Sequence, residues 1–259
     1  MSIYDPKKYT RVAWITGGST GIGAETALRL AQDGWVVAIS ARSEDKLVET
    51  AKRHSNIHVF PLDVTKIKSV TETIDKIEDQ FGDIKMAILN AGTYVPDTLE
   101  DFNIKNFKKH FDINVIGVAN CVEPLLKKFK ERDQGHLAIT ASIAGYHGLP
   151  RSLSYGPTKA ALINFTESLK IETKGTNIKV QLICPGFVKT PLTDQNEFSM
   201  PMLMETDKAA EKLVQGLYSN KFEITFPWVF CFFVRRMSAL PYWLSIPMMK
   251  LAKAAKKTK

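Results

Sequence analysis

Three cysteines in 259 residues, Cys121, Cys184 and Cys231, are isolated, odd in number and without C-x-x-C spacing. That excludes a disulfide framework and leaves reduced core thiols in a cytoplasmic protein as the expectation. The five histidines (His54, His58, His110, His136, His147) show no H-E-x-x-H or related ligand spacing, so no metal site is expected. Pro/Gly/Ser-rich tracts, internal repeats and low-complexity stretches are missing before the tail, which excludes a linker-joined organisation. The opening residues, Met1-Ser2-Ile3-Tyr4-Asp5-Pro6-Lys7-Lys8, carry no apolar run, and no secretory signal is expected.

Acidic residues are absent from Ile224 to Lys259, where seven basic ones occur: Arg235, Arg236, Lys250, Lys253, Lys256, Lys257 and Lys259. The whole chain has 35 Lys and Arg against 27 Asp and Glu, a net charge of +8; the first 223 residues hold 28 against 27, or +1. Nucleic-acid binding needs basic residues clustered on the folded body, with aromatics for stacking. A neutral body excludes it.

What is present is apolar material, 44% of the residues, enough for the core of one large α/β domain. Apolar runs alternate with segments of helical period. Strands are expected at 11–16, 35–40, 57–61, 84–89, 136–141, 178–184 and 222–226, and helices at 21–33, 44–53, 66–80, 103–130, 154–173 and 205–219. Trp35-Val36-Val37-Ala38-Ile39 and Met86-Ala87-Ile88-Leu89 are continuously apolar, as strands covered on both faces are. Gly34, Gly82 and Gly175 follow three of the helices as stop signals. Strict alternation predicts an α/β fold, a doubly wound parallel sheet in a single domain over 1–227, with its ligand at the carboxyl ends of the strands. Residues 228–259 form an apolar, basic C-terminal extension.

The first strand runs into Thr16-Gly17-Gly18-Ser19-Thr20-Gly21-Ile22-Gly23 and then into a helical pattern. Glycines let backbone approach a pyrophosphate, and the helix N-terminus attracts the anion. The spacing T-G-x3-G-x-G differs from the common G-x-G-x-x-G. Farther on, Tyr155 and Lys159 stand four apart, on one face of an expected helix. A tyrosine with an ordinary pKa of about 10 needs a neighbouring ammonium to lower it before it can exchange protons near neutrality. Ser142, 13 residues before Tyr155, ends the 136–141 strand. Pro157 is tolerated between Tyr155 and Lys159 if Ser154 is the N-cap, because the first turn has no N–H partner to lose.

Together these features resemble the short-chain dehydrogenase/reductase family, in its single-domain, Rossmann-type branch, over roughly residues 11–226. Asp63-Val64 resembles the family's adenine-contacting pair, Asn90-Ala91-Gly92 its N-A-G motif, and Pro185-Gly186-Phe187-Val188-Lys189-Thr190 the segment over the nicotinamide. Leu89 departs from the Asn frequent ahead of N-A-G, which removes one side-chain hydrogen bond. The resemblance implies that Ser142 binds the substrate oxygen, Tyr155 is the acid/base, Lys159 also holds the nicotinamide ribose, and Asn114 orients a relay water. It implies cofactor contacts from Thr16, Gly17, Ser19, Thr20, Gly21, Ile22, Gly23, Ser40, Arg42, Asp63, Val64, Asn90, Ala91, Gly92, Pro185, Gly186, Val188 and Thr190, and a homo-oligomer.

Against the family pattern, Ala41 occupies the place of the acidic residue that accepts from the ribose 2′-OH of NAD, and Arg42 follows. A guanidinium without that carboxylate favours a 2′-phosphate, so NADP(H) is the expected cofactor. His147 and Phe187 are candidate substrate contacts. Phe187, Leu192, Phe198, Met200, Met202, Leu203 and Met204 suit a lipophilic small molecule or ordinary lid packing. The expected activity is interconversion of a carbonyl and a secondary alcohol. The alternative is a non-catalytic NADP-binding sensor or scaffold, which has no chemical reason to hold Asn114, Ser142, Tyr155 and Lys159 together. The apolar stretch 228–249 is interrupted by Arg235-Arg236, Pro241 and Pro247, which disfavour a membrane span. Two readings stay open: peripheral attachment to an anionic membrane surface, or a flap over the pocket or onto another subunit.

Overall fold

The structure is a computed structural model describing residues 11–196 and 198–254, the side chains of 250–254 excepted. The ends of the basic tail, Lys256, Lys257 and Lys259, lie outside the described residues. The strands are β1 (Val12–Thr16), β2 (Val36–Ser40), β3 (Ile57–Val59), β4 (Ile84–Leu89), β5 (Gly135–Thr140), β6 (Ile178–Pro185) and β7 (Glu223–Phe226). They form one parallel sheet in the order β3-β2-β1-β4-β5-β6-β7. The expected doubly wound sheet is what the chain forms, and the winding direction reverses between β1 and β4.

The helices are α1 (Gly21–Gln32), α2 (Glu44–Ala51), α3 (Ile67–Phe81), α4 (Ile104–Phe111), α5 (Gly117–Glu131), α6 (Tyr155–Glu172), α7 (Thr206–Tyr218), α8 (Trp228–Ser238) and α9 (Tyr242–Ala254). Alternate strand residues serve opposite faces, as the two-residue period requires. Val12 and Trp14 of β1 pack with Val70, Ile74 and Ile77 of α3, Leu125 and Phe129 of α5, and Leu162 of α6. Ala13 and Ile15 face the other way, toward Leu30 of α1, Leu47 of α2 and Leu213 of α7. All three cysteines are buried and unpaired, and burial pushes each thiol up to about 12.

Two expected elements differ. The segment at 57–61 ends as a strand at Val59, although the N–H groups of Phe60 and Leu62 still donate to Ile39 O (2.9 Å) and Ala41 O (3.0 Å), and Pro61 sits at the one position between them whose N–H would face away from β2. The continuous helix at 103–130 is instead α4, a π-helical turn over Asp112–Ile116, and α5. The hydrophobic pattern does not reveal that extra residue.

Gly135 opens β5 directly over the fully buried Phe129; a Cβ there would stand 2.2 Å from the ring's Cγ. Neither the ring nor the central strand has room to yield. Gly135→Ala is expected to destabilise the protein by about 1–3 kcal/mol through overpacking. Urea unfolding monitored by circular dichroism checks this, and an unchanged midpoint would refute the packing account.

Candidate active site

The reversal between β1 and β4 sets the site. Gly17, just past β1, has φ +69°, and a Cβ on it would stand 2.9 Å from Ala91 Cα. A Cβ on Gly23 would be 2.2 Å from Gly17 O. Thr16 Oγ1 accepts from the N–H groups of both Asn90 and Ala91 at 3.1 Å, which ties the ends of β1 and β4 together. Gly17 N–H donates to Ser40 O at 2.7 Å, bringing in the end of β2. Thr20, at the N-cap of α1, makes no side-chain cap bond, so the first-turn amides keep donor capacity for an anion.

A cavity of about 590 Å³ runs along these strand ends. One part is lined by Gly17, Ser19, Thr20, Gly21 and Ile22, with Asn90, Ala91 and Gly92 opposite. Ser40, Ala41, Arg42, Ser43, Lys46, Asp63 and Val64 line a second part. Burial pushes the Asp63 carboxyl up, but hydrogen bonds from the Thr65 N–H (3.0 Å) and hydroxyl (2.8 Å), with the Arg42 and Lys66 charges, outweigh it and hold the group below its ordinary value. The third part contains Ser142, Tyr155, Lys159, Pro185, Gly186, Val188 and Thr190. The glycines that a Cβ would jam, the uncapped helix and the paired cation Arg42 and Lys46 fit a dinucleotide laid across the switch point.

Tyr155 is the first residue of α6, with Ser154 at the N-cap position, so Pro157 falls in the first turn as expected. Ser154 does not cap the helix with its side chain. Its hydroxyl and N–H both donate to the buried Asp97 carboxylate, the N–H at 3.1 Å. Burial pushes the Tyr155 phenol up, and its hydrogen bond with Ser142 opposes that shift. The Lys159 ammonium lies 5.5 Å from the centre of the Tyr155 ring and donates to Thr140 O at 2.8 Å. Only 3% exposed, Lys159 is brought down to about 8 by burial. Ser142 Oγ also accepts from Ala144 N–H at 3.2 Å, opening a short 3₁₀ turn over Ile143–Gly145.

Asn114 sits on the π-helical turn, a feature frequent at functional sites. It is fully buried: Oδ1 accepts from Thr93 N–H at 2.7 Å, and Nδ2 donates to Thr93 O (3.0 Å) and Thr158 Oγ1 (3.1 Å). A Cβ on Gly92 would lie 3.4 Å from Asn114 Oδ1 and 3.7 Å from Lys159 Nζ, so these two side chains flank Gly92. Thr16, Gly23 and Asn114 thus brace the cavity from behind and do not line it. His147 and Phe187 do not line it either. The Phe187 ring stacks on Phe230 of α8 (5.7 Å) and meets Phe198 edge-on (5.9 Å), while His147 Nδ1 lies 3.1 Å from Gly148 O.

Several site residues are not among the sequence-based candidates. Lys46, in the first turn of α2, adds a second cation; Arg42 precedes the extended N-cap Ser43, so no helical spacing linked the two in the sequence. Tyr94 meets the Tyr155 ring edge-on at 5.0 Å and donates to Asn196 Oδ1 at 2.9 Å. Neither Tyr94 nor Asp97 falls in a motif, and only the fold brings them to α6.

A family model described as short chain dehydrogenase matches residues 11–200. An uncharacterized oxidoreductase of Myxococcus xanthus is 34% identical over 235 residues, covering 89% of this chain and 93% of the relative. Human 17-beta-hydroxysteroid dehydrogenase 13 is 28% identical over 237 residues, covering 89% of this chain and 79% of that protein. The solved structure of ElxO with NADP bound superposes with a TM-score of 0.76 at 28% identity, covering 85% of this chain and 99% of ElxO. With the parallel sheet and its switch-point cavity, these likenesses place the chain: it belongs to the short-chain dehydrogenase/reductase family and is an oxidoreductase with a nicotinamide-dinucleotide fold.

Proposed function

We propose that the protein is an NADP(H)-dependent oxidoreductase that interconverts a carbonyl and a secondary alcohol on a lipophilic small molecule, acting as a reductase where NADPH prevails. The observation that carries this is the convergence of Ser142, Tyr155 and Lys159 on one wall of a cavity whose other end holds Arg42 and Lys46, with Ala41 where an acid would select NAD. The names of two similar proteins support the chemistry: ElxO was solved with NADP bound, and the human relative is a hydroxysteroid dehydrogenase. Leu192 and Ile113 supply apolar lining. Three unpaired, buried thiols suit a cytoplasmic setting, and the family resemblance supports a homo-oligomer.

When bound, the nicotinamide exchanges a hydride with the substrate carbon. The chain supplies the rest. Ser142 hydroxyl holds the substrate oxygen beside Tyr155; the Tyr155 hydroxyl gives that oxygen its proton on reduction, and the Tyr155 phenolate takes the alcohol proton on oxidation. Lys159 remains mostly ammonium at neutral pH despite its burial, and the positive charge favours the tyrosinate that proton donation leaves. Asn114, bonded to Thr93 and Thr158, fixes the wall on the far side of Gly92 from Lys159. Arg42 with Lys46 would hold the 2′-phosphate, and the α1 amides the pyrophosphate.

Tyr155→Phe is expected to lower turnover on an accepted ketone by about 10²–10⁴-fold. NADPH affinity, read by nicotinamide fluorescence, should hardly change. Turnover within a few-fold of wild type would remove Tyr155 from the acid/base role. Arg42→Ala should weaken NADPH by about 1.5–3 kcal/mol, the worth of a charged hydrogen bond, and spare NADH. Equal wild-type affinity for the two cofactors would overturn the NADP assignment.

Lys159 also makes a signed prediction for the cofactor-free protein. Its folded pKa of about 8 lies below the ordinary 10.5, so between these values the unfolded chain binds more protons and stability rises with pH. Below pH 8 the penalty of the buried charge is fully present; above 10.5 it is gone. Relative to Lys159→Met, the wild type should therefore gain on the order of 3 kcal/mol across that window. Denaturant titrations of both proteins at several pH values test it, and parallel pH curves would contradict it.

A further inference from the structure

The C-terminal helices expose an apolar surface that the reaction leaves unexplained. Trp228 is 69% exposed, Phe233 61%, Tyr242 77% and Trp243 77%, and Phe232, Leu244, Ile246 and Met248 are exposed beside them. Large exposed aromatics grouped on one or two short helices mark an interaction surface. On α9, the described side chains 242–249 include one that is buried, Ser245. A helix that is apolar on nearly every side and open on nearly every side lacks its partner.

Charge identifies the partner. The segment 224–259 carries seven basic residues and no acid, and Arg236 lies over the Phe232 ring (5.0 Å) on the outer side of α8. Arg235 is already paired with Glu223 of the body. A second copy docked through a two-fold contact at this surface would set one acid-free cationic segment against another. An anionic lipid surface offers apolar depth for the aromatics and negative charge for the basic residues at once.

Length sets the mode. α8 has 11 residues and α9 has 13, separated at Pro241. At about 1.5 Å per residue they reach roughly 16 and 20 Å, short of the ~30 Å hydrocarbon layer. Among the described residues no helix is long and apolar enough to cross a membrane.

We propose that α8 and α9 seat the protein in the plane of an anionic bilayer, with Trp228, Phe232, Phe233, Tyr242 and Trp243 inserted at the interface. The inner side of α8 meanwhile packs on the catalytic end. Cys231 and Val234 are buried against Ile143, next to Ser142, and Phe230 stacks on Phe187. The bilayer therefore lies about one helix diameter, roughly 10 Å, from the turn that carries Ser142. Docking stands independently of the reaction. That the bilayer is also the source of an apolar substrate rests on the proposed function.

The full-length protein is floated with vesicles of phosphatidylcholine alone and of phosphatidylcholine with about a third phosphatidylserine. The expected result is flotation with the anionic vesicles, reduced at least several-fold by about 0.5 M NaCl, where the Debye length falls to roughly 4 Å. Phe233→Ser with Trp243→Ser should abolish it. Thermal melting and turnover on a water-soluble ketone should match wild type in that variant, so a failure of docking and a failure of the proposed reaction appear in separate readouts. Protein left in solution with both vesicle types overturns the proposal. So does a concentration-dependent dimer, seen by sedimentation, that the double variant dissociates, because the surface then belongs to a second copy.

Discussion

The contact between the ends of β1 and β4 is the constraint on which the rest of the site depends. Their following loops leave in opposite directions, so a crevice opens over the pair of neighbouring strands where the winding reverses. Gly17 must come within contact of Ala91, and Gly23 within contact of Gly17 O, for that crevice to be bounded by bare backbone. Thr16 holds the junction shut by accepting from two successive amides of β4's loop. A larger side chain at 17 or 23 would move the floor under both the glycine-loop end and the Tyr155 end of the cavity.

From that junction the proposed catalytic groups are held on rigid elements. Ser142 follows β5, Tyr155 starts α6 and Lys159 reaches back one turn later to the carbonyl of Thr140, the last residue of β5. The strand and the helix are thus cross-linked through the lysine itself. Burial works against both ionised forms, raising the Tyr155 phenol and lowering the Lys159 ammonium. The same dryness strengthens any charge–charge interaction that forms between them. The simple expectation of a lysine that depresses its tyrosine neighbour meets a stronger opposing influence here, with the Ser142 hydrogen bond as the largest favourable one.

Much of this was legible in the chain because the signals are local. Continuous apolar runs locate strands of a doubly covered sheet, and strand-end motifs in chain order locate the cavity wall at Gly17, Asn90, Ser142 and Pro185. What was hidden depends on tertiary contact. The π-helical turn that aims Asn114 inward adds a residue to the helix without disturbing its apolar pattern. Asp97 takes both Ser154 donors across 57 residues of chain, and Tyr94 meets Tyr155 across a similar span. Phe187 matches a motif by position, yet α8 supplies a ring for it to stack on and draws it away from the cavity.

The extension after residue 227 resisted a single reading because its two faces answer different demands. Aromatic and basic residues occur all along it, so composition alone suits a flap and a membrane contact equally well. In the structure the alternatives fall on opposite sides of one helix. Phe230, Cys231 and Val234 turn inward and complete the packing beside Ile143, as a flap would. Trp228, Phe232 and Phe233 turn outward and stay 69%, 48% and 61% exposed. A helix with only the inner role would gain solubility from polar residues on its outer face, and Arg236 alone there is a poor substitute. The large aromatics on the solvent side are what a packed flap alone leaves unexplained, and the proposed docking rests on them.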